Sequence, residues 1–60
     1  MKVKDKFIGR KLRVITQKAL ESFDVTIKDE KTGLSATAIR NSAYDAELAA
    51  LEILAEYLEL

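Results

Sequence analysis

Residues 23–40 read FDVTIKDEKTGLSATAIR and have the pattern of a β-hairpin. The first part alternates apolar and polar side chains, as a strand buried on one face does, with Phe23, Val25 and Ile27 as its apolar set. The segment 29–33, DEKTG, has the composition of a turn, in which Gly33 accepts a positive φ. A second alternating strand follows the turn, so the pattern predicts two antiparallel strands.

A helix is predicted after the hairpin, over residues 42–59, where Ala, Leu and Glu dominate. Ser42 is placed to cap its first turn, with Asn41 as a competing cap. The second strand carries the small residues Ala36 and Ala38 on one face. Small side chains let a helix approach a sheet closely, so we expect both alanines to lie under the helix.

The apolar surface of this helix is wide. Residues at spacings of three and four form one stripe from Tyr44 to Leu58 and a second from Ala46 to Leu60. One stripe is enough to cover a sheet, so the other predicts a homodimer or a protein partner. The alternative is that a small protein simply buries most of its only helix. The predicted interface residues are Leu48, Leu51, Ile53, Leu54, Tyr57 and Leu58.

The N-terminal third fits two structures. Residues 10–20 alternate as a strand, with Leu12 and Val14 facing inward, but they also fit a helical stripe. The β-branched run 14–16 favours the strand. We therefore predict an α+β fold, in which a three-stranded antiparallel meander is followed by one C-terminal helix packed on a sheet face. The predicted single domain has three parts: a basic arm over 1–9, the meander over 10–40 and the helix over 42–59.

The charges are unevenly distributed although the formal net charge is zero. Residues 1–20 carry seven Lys and Arg against one Asp, and residues 21–60 carry three against nine acids. A basic arm indicates nucleic-acid binding, contact with another subunit, or a solvated edge strand that resists aggregation. The candidate nucleic-acid residues are Lys6, Arg10, Lys11, Arg13 and Lys18.

Composition narrows the function classes. The 60 residues include no His, which is the usual general base near neutral pH and a common metal ligand. They include no Cys, so the chain has no thiol nucleophile and no thiolate metal ligand. No stretch approaches about 18 consecutive apolar residues, as a membrane span requires. We therefore expect a cytoplasmic, non-enzymatic protein without cofactor, metal, small-molecule substrate or membrane contact. A chain this short buries only about 60% of its unfolded surface, which favours stabilisation by dimerisation.

The last 38 residues resemble the second half of a double-stranded RNA-binding domain. The resemblance rests on the hairpin, on the helix opening Ser42-Ala43-Tyr44-Asp45-Ala46, and on the pair Ala49-Ala50. These match capping and packing positions, so they imply the fold of that family. The two family lysines that reach RNA phosphates are Ala43 and Tyr44 here, and the first family helix has no room.

The chain is similar to the HicB-type antitoxin fold to the same degree. That resemblance rests on the three strands, on the closing Ala/Glu/Leu helix and on Tyr57-Leu58 near its end. It implies a small protein that binds a protein partner. Together these features predict a homodimeric protein-interaction module that acts as a regulator or inhibitor, with nucleic-acid binding as the alternative.

Overall fold

The computed structural model describes residues 2–60. A 3₁₀ helix (Val3–Phe7) is followed by strands β1 (Leu12–Lys18), β2 (Phe23–Asp29) and β3 (Ser35–Arg40), and then by helix α1 (Ala43–Leu58). The strands form one antiparallel sheet in the order β1-β2-β3. The predicted α+β arrangement of three strands and one helix is confirmed, and residues 12–18 are a strand.

The register divides the sheet into a helix side and an open side. On the helix side, Val25 lies between Thr16 and Ala38, and Ile27 lies between Val14 and Ala36. On the open side, Ile15, Thr26 and Thr37 form the central row. The Thr26 and Thr37 hydroxyls are 2.8 Å apart and share a hydrogen bond.

The core lies between α1 and the strands β2 and β3, across which the helix packs. Small buried residues of the sheet and the helix face each other there. They are Ala36 and Ala38 on the sheet and Ala46 and Ala50 on the helix. Val25, Ile27 and Leu54 fill the remaining space. Each such larger side chain contributes about 1.5–3 kcal/mol when fully buried. The prediction that both strand alanines lie under the helix is confirmed.

Both ends of α1 have defined caps. The Ser42 hydroxyl accepts a hydrogen bond from the Asp45 N–H at 3.1 Å, so Ser42 rather than Asn41 begins the helix. At the other end, Glu59 adopts the left-handed conformation with φ 58°. The Leu60 N–H then reaches back to the Ala55 carbonyl at 2.9 Å, which is the hydrogen bond of a Schellman cap.

The N-terminal residues differ from the predicted basic arm over 1–9. Residues 3–7 form the 3₁₀ helix, which packs against α1 and places Phe7 in the core with 6% of its surface exposed. Lys4 Nζ lies 3.3 Å from a Glu47 carboxylate oxygen. The flank of α1 that carries Tyr44, Leu48 and Leu51 therefore has a partner within the chain. Met1, the first residue of the predicted arm, lies outside the described residues.

Candidate functional site

Strand β1 lies beyond the area that α1 covers. Every residue of β1 after Leu12 is exposed, on the helix side as well as on the open side. Val14 points to the helix side with 47% of its surface exposed, and Ile15 points to the open side with 49% exposed. Two consecutive apolar residues on an edge strand thus face solvent on opposite faces of the sheet.

An apolar cleft of about 250 Å³ runs beside β1 on the helix side. Its walls come from the 3₁₀ helix and the residue after it, from β1 and β2, and from α1. The apolar lining consists of Phe7, Ile8, Leu12, Val14, Ile27 and Leu51, and the charged side chains at the cleft are Lys4 and Glu47. Ile8 is 79% exposed and forms an apolar area with the cleft on the helix side of β1, while Ile15 is exposed on the opposite face of the same strand. We call these residues, Ile8, Leu12, Val14 and Ile15, the β1 surface.

The free edge of β1 presents hydrogen-bonding groups in a fixed alternation. The Glu30 N–H donates to the Lys11 carbonyl, and the Ala19 N–H donates to the Ser22 carbonyl. With the observed register, these bonds assign the odd-numbered residues of β1 to the ladder with β2. The N–H and C=O groups of Leu12, Val14, Thr16 and Lys18 therefore point away from the sheet, where another strand can bind.

A buried carboxylate fixes the start of β1 against the turn between β2 and β3. Asp29 Oδ2 accepts hydrogen bonds from the Thr32 hydroxyl at 2.7 Å and the Thr32 N–H at 3.2 Å. Arg10 Nη1 lies 3.4 Å from the same oxygen. The Thr32 hydroxyl lowers the pKa of Asp29 most; burial opposes this, while the Thr32 N–H, Arg10 and Lys31 lower it further. Asp29 therefore stays ionised and ties the two segments together.

The turn itself follows the sequence pattern. Gly33 has φ 79° and donates its N–H to the Asp29 carbonyl at 2.8 Å. The predicted positive φ at Gly33 is confirmed. The role of Asp29 was not predicted, because acids in a turn are ordinarily solvated. Position 29 nevertheless lies two residues after Ile27, on the same face of the strand as the inward-pointing residues 23, 25 and 27. This spacing is the sequence signal that indicates its burial.

The predicted interface residues of α1 separate into three groups. Leu51 and Leu54 belong to the core, with 4% and 0% of their surface exposed, so their assignment to a partner interface is wrong. Their burial follows from the orientation of α1, which lays the face between the two predicted stripes on the sheet. Leu48, Ile53 and Leu58 are half-buried. Tyr57 is exposed.

The candidate nucleic-acid residues do not form one surface. Lys6 lies on the 3₁₀ helix beside Glu52 and Glu56 of α1. Arg10 pairs with Asp29, and Arg13 Nε lies 3.0 Å from a Glu30 carboxylate oxygen on the open side. Lys11 precedes β1. Lys18 ends the strand on the helix side, 6.0 Å from the centre of the Phe23 ring.

Within residues 2–60, no group of three or more His, Cys, Asp or Glu side chains is placed to hold a metal ion. In the same part of the chain, no helix has the length and apolar character that crossing a membrane requires. Comparison with models of known protein families, with curated proteins and with solved structures found no match to this chain. The resemblances to the double-stranded RNA-binding domain and to HicB-type antitoxins therefore stay predictions.

Proposed function

We propose that this chain is a small cytoplasmic protein-interaction module, without enzymatic activity, that acts as a regulator or inhibitor by binding a protein along the β1 surface. The observation that carries the proposal is the exposure of β1 on both faces and along its edge. An extended partner segment would gain backbone hydrogen bonds from the edge and apolar contacts from the cleft.

The centre of β1 lacks the features that keep edge strands from pairing. Natural edge strands are protected from pairing by charged residues, prolines or bulges. In β1 the charged residues Arg13 and Lys18 flank the uncharged run 14–17, which contains Val14, Ile15, Thr16 and Gln17. Burying the exposed parts of Val14 and Ile15 would contribute roughly 1 kcal/mol each. A partner strand is therefore favoured at this position.

The helix face gives less support to a partner than the sequence predicts. Leu51 and Leu54 are used in the core, and the 3₁₀ helix occupies one flank of α1. What remains on the other flank is Tyr57 with the half-buried Ile53. Nucleic-acid binding is also less well supported, because Arg10 and Arg13 are paired with acids and Lys18 lies at the far end of β1.

Selection from a library of extended peptides tests the proposal. The bait is the chain at nanomolar concentration, where self-association does not compete. The variant Ile15→Lys places a charge on β1, and Ile39→Lys is its matched control, an exposed isoleucine on the open side of the other edge strand. Peptides with alternating apolar residues are expected to bind the wild-type chain and Ile39→Lys, and to lose affinity for Ile15→Lys. Equal binding to all three proteins would reject the β1 surface as the binding site.

A further inference from the structure

We infer that the β1 surface binds a second copy of itself, so that two β1 strands pair antiparallel about a two-fold axis at Ile15. This inference rests on the proposed function and names the partner as another copy of this chain. The edge groups, the charges along β1 and the faces of the sheet all favour this arrangement.

The free edge allows such pairing without changing the sheet. A two-fold axis perpendicular to the sheet makes neighbouring strands antiparallel and keeps both helices on the same side. Residues opposite each other must then point to the same face. The outward N–H and C=O groups belong to even-numbered residues of β1, so even residues bind even residues in every symmetric register. The edge is therefore complementary to itself.

Charge repulsion and the length of the pairing together select one register. When Ile15 lies on the axis, Leu12 is opposite Lys18, Arg13 is opposite Gln17, and all seven residues of β1 are paired. No two like charges face each other in this register. An axis at Val14 would shorten the pairing and place Arg10 opposite Lys18. Like charges directly opposite each other are destabilising. An axis at Thr16 would also leave the start of β1 unpaired.

The axis at Ile15 also buries apolar surface on both faces. Ile15 meets its own copy in a pair without hydrogen bonds, where side chains come closest, about 4.5 Å between Cα atoms. On the helix side, Val14 lies opposite Thr16 of the second copy. The second β1 strand, one spacing of about 4.8 Å away, then borders the apolar cleft.

The contact is small. A single strand pair with one adjoining cleft belongs to the interfaces below about 1,200 Å², which are typical of weak complexes. We therefore expect a dimer that dissociates on dilution, with a dissociation constant in the micromolar to submillimolar range.

The test measures mass in solution by sedimentation and light scattering from micromolar to millimolar concentration. The wild-type mass is expected to rise from 6.7 kDa towards twice that value. Ile15→Lys should raise the dissociation constant about tenfold or more, because the axis brings the two new lysines face to face. Ile39→Lys should leave the constant unchanged.

Mixing Ile15→Lys with Ile15→Glu gives the most specific result. If residue 15 faces its own copy, each variant alone is weakened and the equimolar mixture dimerises, since a Lys then faces a Glu. A loss of folding would not be rescued in this way. Dimerisation of the mixture at least as tight as the wild type supports the inference.

Other outcomes overturn it and separate the two proposals. A wild-type chain that stays monomeric at millimolar concentration rejects self-pairing, and the peptide selection then decides the proposed function alone. A dimer that survives Ile15→Lys but dissociates in the double variant Ile53→Asp, Tyr57→Asp rejects the β1 axis and assigns the dimer to α1. A mixture no tighter than either variant alone rejects the register centred on Ile15.

Discussion

Thr32 holds the buried carboxylate of Asp29 through both its hydroxyl and its backbone N–H, and both donate to the same oxygen, Oδ2. The Thr32 hydroxyl also accepts a hydrogen bond from the Leu34 N–H at 3.3 Å. One threonine thus links the end of β2 to the residue before β3. The turn is held by side-chain hydrogen bonds as well as by the positive φ of Gly33.

The Asp29–Thr32 contact predicts a defined loss of stability in acid. The pKa of Asp29 is lowered from its ordinary value of 3.8, chiefly by the Thr32 hydroxyl. A lowered folded-state pKa contributes stability that is fully present above 3.8 and is lost as the pH falls through the folded-state pKa. Thr32→Val removes the hydroxyl, so this contribution should shrink.

Urea unfolding between pH 2 and pH 7, together with an NMR titration of the Asp29 carboxyl, measures this effect. Thr37→Val is the matched control, because the Thr37 hydroxyl pairs with the Thr26 hydroxyl and with no carboxylate. Its pH dependence should equal that of the wild type. An Asp29 titration that does not shift upward in Thr32→Val would contradict the prediction.

The end of α1 offers a stabilising substitution. Glu59 is a non-glycine residue with φ 58°, in the region that side chains disfavour and glycine adopts freely. Glu59→Gly should raise the free energy of unfolding by about 0.5–1 kcal/mol, and it also removes a negative charge from the helix C-terminus. Glu56→Gly, inside the helix, should lower it by about 1 kcal/mol. Denaturation midpoints measure both; a Glu59→Gly variant no more stable than the wild type would count against a Schellman cap.

Leu54 is expected to be one of the side chains whose truncation costs most. It is fully buried between the helix and the sheet. Leu54→Ala should cost about 2–5 kcal/mol, against a total stability on the order of 3–9 kcal/mol for a chain of 60 residues. Leu20→Ala, at a loop residue with 96% of its surface exposed, should change stability by less than about 0.5 kcal/mol. Thermal melts followed by circular dichroism compare the two, and similar melting temperatures would show that the helix packs elsewhere.

Nucleic-acid binding should be weak and dependent on salt. Lys11 and Lys18 lie at opposite ends of β1, so they cannot contact neighbouring phosphates together. We expect duplex RNA or DNA to bind no tighter than about 10⁻⁴–10⁻⁶ M, the range of non-specific binding at physiological salt. Fluorescence anisotropy at two salt concentrations measures this. Submicromolar binding that Lys11→Gln and Lys18→Gln both weaken would restore the basic residues as the functional site.

The elements that the sequence predicts well depend on local patterns. The alternation in 23–40, the glycine of the turn, the Ser42 cap and the helix-forming composition after it all act within a few residues. Each of these elements forms as predicted. The strand over 12–18, which competed with a helix, follows the β-branched run.

The features that the sequence does not predict depend on contacts distant in the chain. Phe7 is buried in the core because it packs against α1. Nothing in residues 1–9 alone indicates that contact. Leu51 and Leu54 face the sheet because the alanines of β3 and α1 set the rotation of the helix. The exposure of β1 follows from the area that α1 covers, which periodicity within the helix cannot reveal.

The position of α1 over β2 and β3 alone has a consequence for local unfolding. Alternate amides of β2 bond to different neighbours: those of Val25 and Ile27 bond to β3 beneath the helix, and those of Thr26 and Lys28 bond to β1. Hydrogen exchange within this one strand should therefore follow two regimes. The odd-numbered amides should exchange only on global unfolding, and the even-numbered ones each time β1 detaches. The amide exchange rates within this one strand thereby report two separate free energies of opening.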